Sequence, residues 1–229
     1  VSLPRALLFS TGYIANLGVV TALVGRGDAV FADKLNHASL NDACQLSRAQ
    51  FKRYAHNDLT QLEQLLATTK ARRKLIAVDA VFSMDGDIAP VRELVALADR
   101  HDAWILLDDA HGFGVLGENG RGVLEHFNVK HPRVIYMGTL GKAAGVGGAF
   151  VAAHSDWIEW MVQRARPYIY TTAAPPALAH ALLSSLHIIT GDEGDARRAH
   201  LRDLIARFSG DARLSGLQRL PSDTAVQPV

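Results

Sequence analysis

The chain has a single cysteine, Cys44, in 229 residues, so it can form no internal disulfide. That fits a reducing compartment, and a cytoplasmic location is the expectation. It has no uninterrupted apolar stretch long enough to span a bilayer, which argues against a membrane protein. Charge of neither sign is in excess: 24 Lys and Arg stand against 23 Asp and Glu, a formal net charge of +1, so the total gives no sign of nucleic-acid binding. No Gly-x-Gly-x-x-Gly follows the first apolar run, which disfavours a nucleotide-binding α/β domain. Internal repeats and low-complexity tracts are absent. There is no initiating Met, and Val1-Ser-Leu-Pro-Arg5 is neither basic nor apolar enough for a signal peptide. The last residues, Thr224-Ala-Val-Gln-Pro-Val229, read as the start of an extended segment. The expectation is a piece of a longer polypeptide, lacking material on both sides.

What is present is an ordinary globular balance, 48% hydrophobic and 21% charged, arranged as strand-length apolar runs between segments of helical period. Strands are predicted over 6–9, 28–32, 51–54, 75–82, 104–107, 134–137 and 149–153. Helices are predicted over 12–24, 38–46, 58–66, 91–98, 156–164, 176–190 and 195–208. The first helix is entered through Ser10-Thr11-Gly12, and the third through Asp58 and Gln61, which resemble a capping box. Val91, Leu94, Val95 and Ala98 form the apolar stripe of a helix. The runs at 75–82, 104–107 and 134–137 alternate little, as strands covered on both faces do. The fold class is therefore α/β, a mostly parallel sheet with helices on both faces. Gly, Ser, Pro and Asp cluster over 210–223, a candidate boundary between a domain over 1–210 and a remainder over 211–229.

In such sheets ligands bind beyond the carboxyl ends of the strands. Gly12, Ser83, Asp108, His111, Thr139 and Lys142 each lie just past a strand candidate, and this placement lets them converge on one crevice. Lys142 taken alone is a loop lysine. Here it sits in Thr139-Leu-Gly-Lys142, before Gly145, Gly147 and Gly148, which let backbone turn tightly and approach a ligand. The fragment lacks the leading glycine spacing of a P-loop, and no Ser or Thr follows the lysine. Asp108 and Asp109 alternate faces in extended chain, so one of them points into a site. A metal at Asp108, Asp109 and His111 lacks a second His/Asp cluster at ligand spacing. A lysine past one strand and an acid at the end of another suit pyridoxal phosphate, whose aldehyde the lysine carries while the acid keeps the pyridine nitrogen protonated. Gly12 and Tyr13 open a helix, where free N–H groups and the dipole favour a phosphate. His37 is a loop histidine able to stack on a planar ring. Ser83 is a turn residue or a cofactor donor, with Asp85 and Asp87 shaping its turn. Thr171 and Thr172 precede Pro175-Pro176 at a junction that also suits a phosphate contact.

Seven motifs in one order resemble the α-oxoamine synthases, pyridoxal-phosphate enzymes of fold-type I. They are Thr-Gly-Tyr-x-Ala-Asn16, Asn-His37-Ala-Ser, Phe-Ser83-Met-Asp-Gly-Asp-x-Ala-Pro90, Asp108-Asp-Ala-His111-Gly, Gly-Glu-x-Gly-Arg-Gly122, Thr139-x-Gly-Lys142 and Tyr-x-Tyr-Thr-Thr-x-x-Pro-Pro176. The resemblance runs over nearly the whole chain. It implies a fold-type I major domain over 1–210, then a linker and the start of a small C-terminal domain over 211–229. It implies that Lys142 holds pyridoxal 5′-phosphate, that Asp108 binds the pyridinium nitrogen and that His111 binds the phenolic oxygen. His37 stacks on the ring and, with Lys142 and Asp108, is expected in the catalytic set, in contact with substrate; Gly12, Tyr13 and Thr139 contact phosphate; Ser83 lines the cofactor. Thr171 or Thr172 reaches the phosphate of the neighbouring subunit of a homodimer. The Asp108 and Ser83 segments look most like the branch that joins L-alanine to a pimeloyl thioester, on coenzyme A or an acyl carrier protein, in biotin biosynthesis. Relatives making 5-aminolevulinate, 2-amino-3-oxobutyrate or sphingoid bases usually differ there. Asp79 departs from the glutamate expected at its position. The family's further segments, expected to supply an arginine for the amino acid's carboxylate, are missing, so a fragment that folds and dimerises without turnover is the second expectation.

Overall fold

The computed structural model describes residues 1–211 and 218–229. The order of elements is β1 (Arg5–Phe9), α1 (Gly12–Leu23), β2 (Ala29–Asp33), α2 (Ala38–Ser47), β3 (Gln50–Tyr54), α3 (Leu59–Thr68), β4 (Lys74–Asp79), α4 (Val91–Arg100), β5 (Ala103–Asp108), α5 (Val123–His126), β6 (Val134–Thr139), β7 (Ala149–Ala153), α6 (Ser155–Arg164), α7 (Arg166–Ile169), α8 (Pro176–Thr190) and α9 (Asp192–Asp211). The strands form one sheet in the order β1-β7-β6-β5-β4-β2-β3. Only β7 runs against its neighbours, pairing antiparallel with both β1 and β6. All other strands therefore end on the same side of the molecule.

The period of two along each strand divides the core into two layers. Phe31, Ile76, Val78, Ile105, Leu107 and Tyr136 face one side, against Leu62 and Leu66 of α3 and Val91, Leu94 and Ala98 of α4. Val30, Ala32, Leu75, Ala77, Leu106, Ile135 and Val151 face the other, against Val19, Val20 and Leu23 of α1 and Leu40, Ala43 and Cys44 of α2. Both faces of the central strands are covered, which is why their sequences read as unbroken apolar runs. Inside α1, Gly18 allows close approach: a Cβ there would stand 2.9 Å from the Phe9 ring of β1. At the start of α1, Thr11 is extended and its Oγ1 accepts the Ile14 N–H at 3.1 Å, a standard N-cap.

Four details differ from the pattern reading. The strand expected over 75–82 ends at Asp79; beyond it Val81 makes an isolated bridge to Ile88. The apolar run continues past the ladder because Ala80, Val81 and Phe82 are buried without being paired as strand. The capping box at α3 is half formed. Asp58 accepts the Gln61 N–H at 2.9 Å, but Gln61 Oε1 accepts from Ala55 N at 2.5 Å rather than from Asp58. The four-residue helices α5 and α7 are too short to leave a period in the sequence. Finally, α9 starts at Asp192 and runs to Asp211, longer than expected. Of the candidate boundary over 210–223, residues 212–217 lie outside the described residues. The last segment forms no strand over 218–229 and is held to the turn at Gly86, whose carbonyl accepts from Ser222 Oγ at 2.7 Å and Thr224 Oγ1 at 3.0 Å.

The layered core gives a direct test. Ile105 is fully buried in the centre of β5, and Ile105→Ala is expected to lower stability by about 2–5 kcal/mol in urea unfolding. Leu8, 55% exposed on the edge strand β1, serves as the contrast: Leu8→Ala is expected to stay within about 0.5 kcal/mol.

Candidate active site

Because every strand except β7 ends on one side, the loops after β1, β2, β4, β5 and β6 meet there. They enclose a cleft of about 230 Å³ lined by Gly12, Tyr13, His37, Ser39, Asp79, Val81, Ser83, Asp108, Ala110, His111, Met137, Thr139 and Lys142. The ladder sets its floor. Asp108, last residue of β5, is level with Asp79 of β4 on one side and Met137 of β6 on the other. Two carboxylates thus stand side by side at the ends of buried strands.

Asp108 is held on both oxygens. Oδ2 accepts from Asn16 Nδ2 of α1 at 2.7 Å, and Oδ1 accepts the Ala110 N–H at 3.1 Å. Burial pushes its carboxyl above the ordinary range, and those two donors, with Lys142 and His37 nearby, pull the other way. Asp79 is driven up to about 8, first by burial and then by the Asp108 charge. Its Oδ2 accepts the His37 backbone N–H at 2.8 Å. The neighbouring Asn36 clamps the same turn to β4: its Nδ2 donates to Ala77 O at 2.7 Å, and its Oδ1 accepts the Asp79 N–H at 3.0 Å. Asp79 therefore anchors the loop that carries His37.

The lysine comes from the loop between β6 and β7. Gly145 and Gly148 take positive φ and turn the chain back, with the Leu140 N–H donating to Gly148 O at 2.8 Å. Lys142 Nζ lies 2.8 Å from His111 Nε2. Burial lowers the Lys142 ammonium, against the pull of Asp108 and Asp79. Burial, then Lys142 and His37 close by, brings His111 down to about 4, so its imidazole is neutral near pH 7 and accepts from the amine. Asp109 points away from the cleft and is fully buried, accepting from Val123 N and Tyr136 OH, each at 2.7 Å. Gly122, at φ +84°, crosses this carboxylate so closely that a Cβ would collide with it.

The cleft gathers eight of the ten residues singled out in the sequence: Gly12, Tyr13, His37, Ser83, Asp108, His111, Thr139 and Lys142. Thr171 and Thr172 lie outside it. Thr171 lines a separate open hollow with Ser10, Ile14, Arg166, Pro167 and Tyr170, and both threonines are exposed. Sequence reasoning missed Asn16 and Ser39, and it left Asp79 without a role. Asn16 stood inside a quoted motif, but only the 92-residue reach to Asp108 reveals its use. Asp87, read as a turn residue, does more: it accepts from His56 Nε2 at 2.9 Å and Asn57 Nδ2 at 2.7 Å, while His56 Nδ1 meets Asp33 at 3.1 Å. Among the described residues, His56, Asp85 and Asp87 are the one group with metal-capable atoms in mutual reach, and they lie outside the cleft.

The donor set fits a planar aldehyde phosphate. A buried carboxylate, a primary amine beside a neutral imidazole, a hydroxyl at Thr139 and the first turn of α1, whose leading N–H groups have no intrahelical partner, all face one cavity.

The aminotransferase class I and II family model matches residues 2–229. The chain is 63% identical over 227 residues to an 8-amino-7-oxononanoate synthase of Methylobacillus flagellatus, covering 99% of this chain and 57% of that protein. It is 65% identical over 226 residues to the synthase of that name from Nitrosospira multiformis, again covering 99% and 57%. Among solved structures it is similar to a lysine-to-alanine variant of a serine palmitoyltransferase from S. paucimobilis with a bound PLP–myriocin aldimine, at TM-score 0.87 and 33% identity, over 97% of this chain and 57% of that one. It is also similar to an 8-amino-7-oxononanoate synthase from Francisella tularensis, at TM-score 0.83 and 35% identity, over 98% and 64%. The chain thus spans a little over half the length of the curated relatives it matches. These matches bear out the expected fold-type I major domain.

The raised Asp79 carboxyl has a consequence for stability. The folded chain keeps a proton there up to about pH 8, whereas the unfolded chain releases it near about pH 3.9. Its contribution is therefore greatest at low pH and is lost as pH rises through about 8. Asp79→Asn retains an oxygen for the His37 N–H. It is expected to reduce the fall in urea midpoint between about pH 5 and about pH 8; equal falls in both proteins would refute the assignment.

Proposed function

The chain belongs to the aminotransferase class I and II family, and from that premise we propose that it is the cofactor-binding core of a pyridoxal 5′-phosphate-dependent C-acyltransferase. The reaction joins L-alanine to a pimeloyl thioester, carried on coenzyme A or an acyl carrier protein. A carbon–carbon bond forms between the α-carbon and the acyl carbon, the carbon–sulfur bond breaks, and carbon dioxide leaves. The product is 8-amino-7-oxononanoate, a step of biotin biosynthesis, in keeping with the names of the relatives. One observation carries the reading: Lys142, His111 and the buried Asp108 share a single cleft with the first turn of α1.

Pyridoxal phosphate, when bound, supplies an electron sink for a carbanion at the amino acid's α-carbon. Lys142 Nζ is the amine that would hold the aldehyde. Its lowered pKa favours the free base needed for attack, and as a free amine it would be the group to take the α-proton and return one. Asp108 would pair with the pyridine nitrogen and, as a carboxylate, would keep that nitrogen protonated. His111 would hydrogen-bond the phenolic oxygen. His37 would lie against the ring, Gly12, Tyr13 and Thr139 would bind phosphate, and Ser83 would border the cofactor. Thr171 or Thr172 serves the site of a neighbouring subunit.

A homodimer is part of this reading. Of the 15 residues of α8 only Ile189 is buried, although the helix is rich in Leu and Ile, and Leu183 is 59% exposed. An apolar helix left this bare suits a second copy. The domain reading is a cofactor-binding domain over 1–210 and the start of a small domain over 211–229, and the cell compartment is the cytoplasm. A fragment that binds cofactor without turning over is the second reading, favoured by the chain's span of 57% of its relatives.

The chain mixed with pyridoxal phosphate is expected to develop a visible absorption band. Borohydride should remove the band and leave the label on the peptide containing Lys142, and Lys142→Ala should give neither band nor label. Labelling at other lysines, or none, would overturn the proposal. In the full-length enzyme, faster turnover with alanine than with glycine or serine is expected; preference for glycine would move the chain to another branch of the α-oxoamine synthases.

A further inference from the structure

Between Asp108 and His37 runs a continuous line of hydrogen bonds through two residues without a part in the proposed chemistry. Asn16 lies on α1 and Ser39 on α2, both fully or almost fully buried where the two helices pack. Asn16 Nδ2 donates to Asp108 Oδ2 at 2.7 Å and to Ser39 Oγ at 2.9 Å, using both of its hydrogens. Ser39 Oγ lies 2.8 Å from His37 Nδ1, and the Ser39 backbone N–H donates to the same nitrogen at 3.2 Å.

The directions of these bonds follow from the partners. The amide nitrogen of Asn16 can only donate, and it faces both Asp108 Oδ2 and Ser39 Oγ. Ser39 Oγ is then an acceptor from Asn16, which leaves its own hydrogen for His37. The Ser39 backbone N–H can only donate, and it too is aimed at His37 Nδ1. A hydrogen on Nδ1 would meet that N–H head on. Nδ1 is therefore the bare nitrogen, and the ring's hydrogen is on Nε2.

We propose that Asn16 and Ser39 are positioning residues that tie the Asp108 carboxylate to the His37 imidazole and hold His37 as its Nε2–H tautomer. The inference rests on the pyridoxal-phosphate reading only for its use. With that cofactor bound, the histidine edge that remains free is a donor, suited to the carboxylate or carbonyl oxygen of an amino-acid or acyl substrate. Asn16 at the same time supplies the hydrogen bond that favours charge on Asp108 in a buried place. Ser39 acts through His37, and Asn16 acts through Asp108.

Nitrogen-15 spectra of the histidine-labelled, cofactor-free chain test the first half. His37 is assigned by the signal lost in His37→Gln. The expected result is a bare Nδ1 and a protonated Nε2 in the wild type. Ser39→Ala should give a mixture of the two tautomers, and Ser39→Thr should restore the single form. A wild-type histidine protonated on Nδ1, or a tautomer unmoved by Ser39→Ala, would overturn the proposal. Titration with pyridoxal phosphate, followed by its absorption, tests the second half. Asn16→Ala, shown by urea unfolding to be folded, is expected to bind about tenfold or more weakly, the loss of one hydrogen bond to a charged group. Unchanged affinity would remove Asn16 from the assignment. A wild-type chain that binds no pyridoxal phosphate would instead defeat the cofactor reading, and the tautomer measurement would still decide the positioning role.

Discussion

The burial of a carboxylate at the end of β5 is the constraint from which the cleft follows. A charge taken out of water is costly unless donors replace the lost hydration. Asp108 meets that demand with Asn16 from α1 and the Ala110 N–H from its own loop, and the Lys142 charge from the loop after β6 adds its pull without a bond. Each of these comes from a different part of the chain. The sheet brings them together because β4, β5 and β6 are parallel and in register. The adjacent Asp79 raises the cost, since two carboxylates at neighbouring strand ends repel; its own upward shift is the response.

The same register explains how helices and loops divide the work. The second aspartate, Asp109, faces the opposite side and never enters the cleft. It fastens the loop over 110–122 by accepting from Val123 and Tyr136, and so fixes where His111 stands. Asn36 and Asp79 do the corresponding work for His37 from β4. Groups facing the cleft are thus held by groups behind them, and the supporting bonds are buried where water cannot compete.

Much of this was legible before any coordinates. Strand–helix alternation, apolar runs and capping residues are local signals, and all seven strands and the long helices follow from them. The crevice residues were legible because the end of a strand is itself a local feature, and parallel order sends all such ends to one side. Asn16 and Ser39 were not, since their use depends on contacts 92 and 23 residues away in the chain. A polar side chain on an apolar helix has no periodic signature of its partner. The overlong strand at 75–82 has a related cause: burial makes Ala80 to Phe82 apolar whether or not they join the ladder. Thr171 and Thr172 differ again: the chain leaves both exposed and outside the cleft.

Asp79, the residue that departs from the resemblance, is accounted for by the same geometry. Its side chain starts level with Asp108 on the next strand, and from there it meets the His37 N–H at 2.8 Å. A glutamate carries its carboxylate one methylene further, so it would have to fold back, or the His37 turn would have to move outward, to keep that bond. The turn has little freedom to move, because Asn36 grips the β4 backbone at both Ala77 and Asp79. The shorter acid therefore matches this turn as it stands. Any change of length at 79 acts on the His37 turn that it holds and on the Asp108 carboxylate beside which it stands.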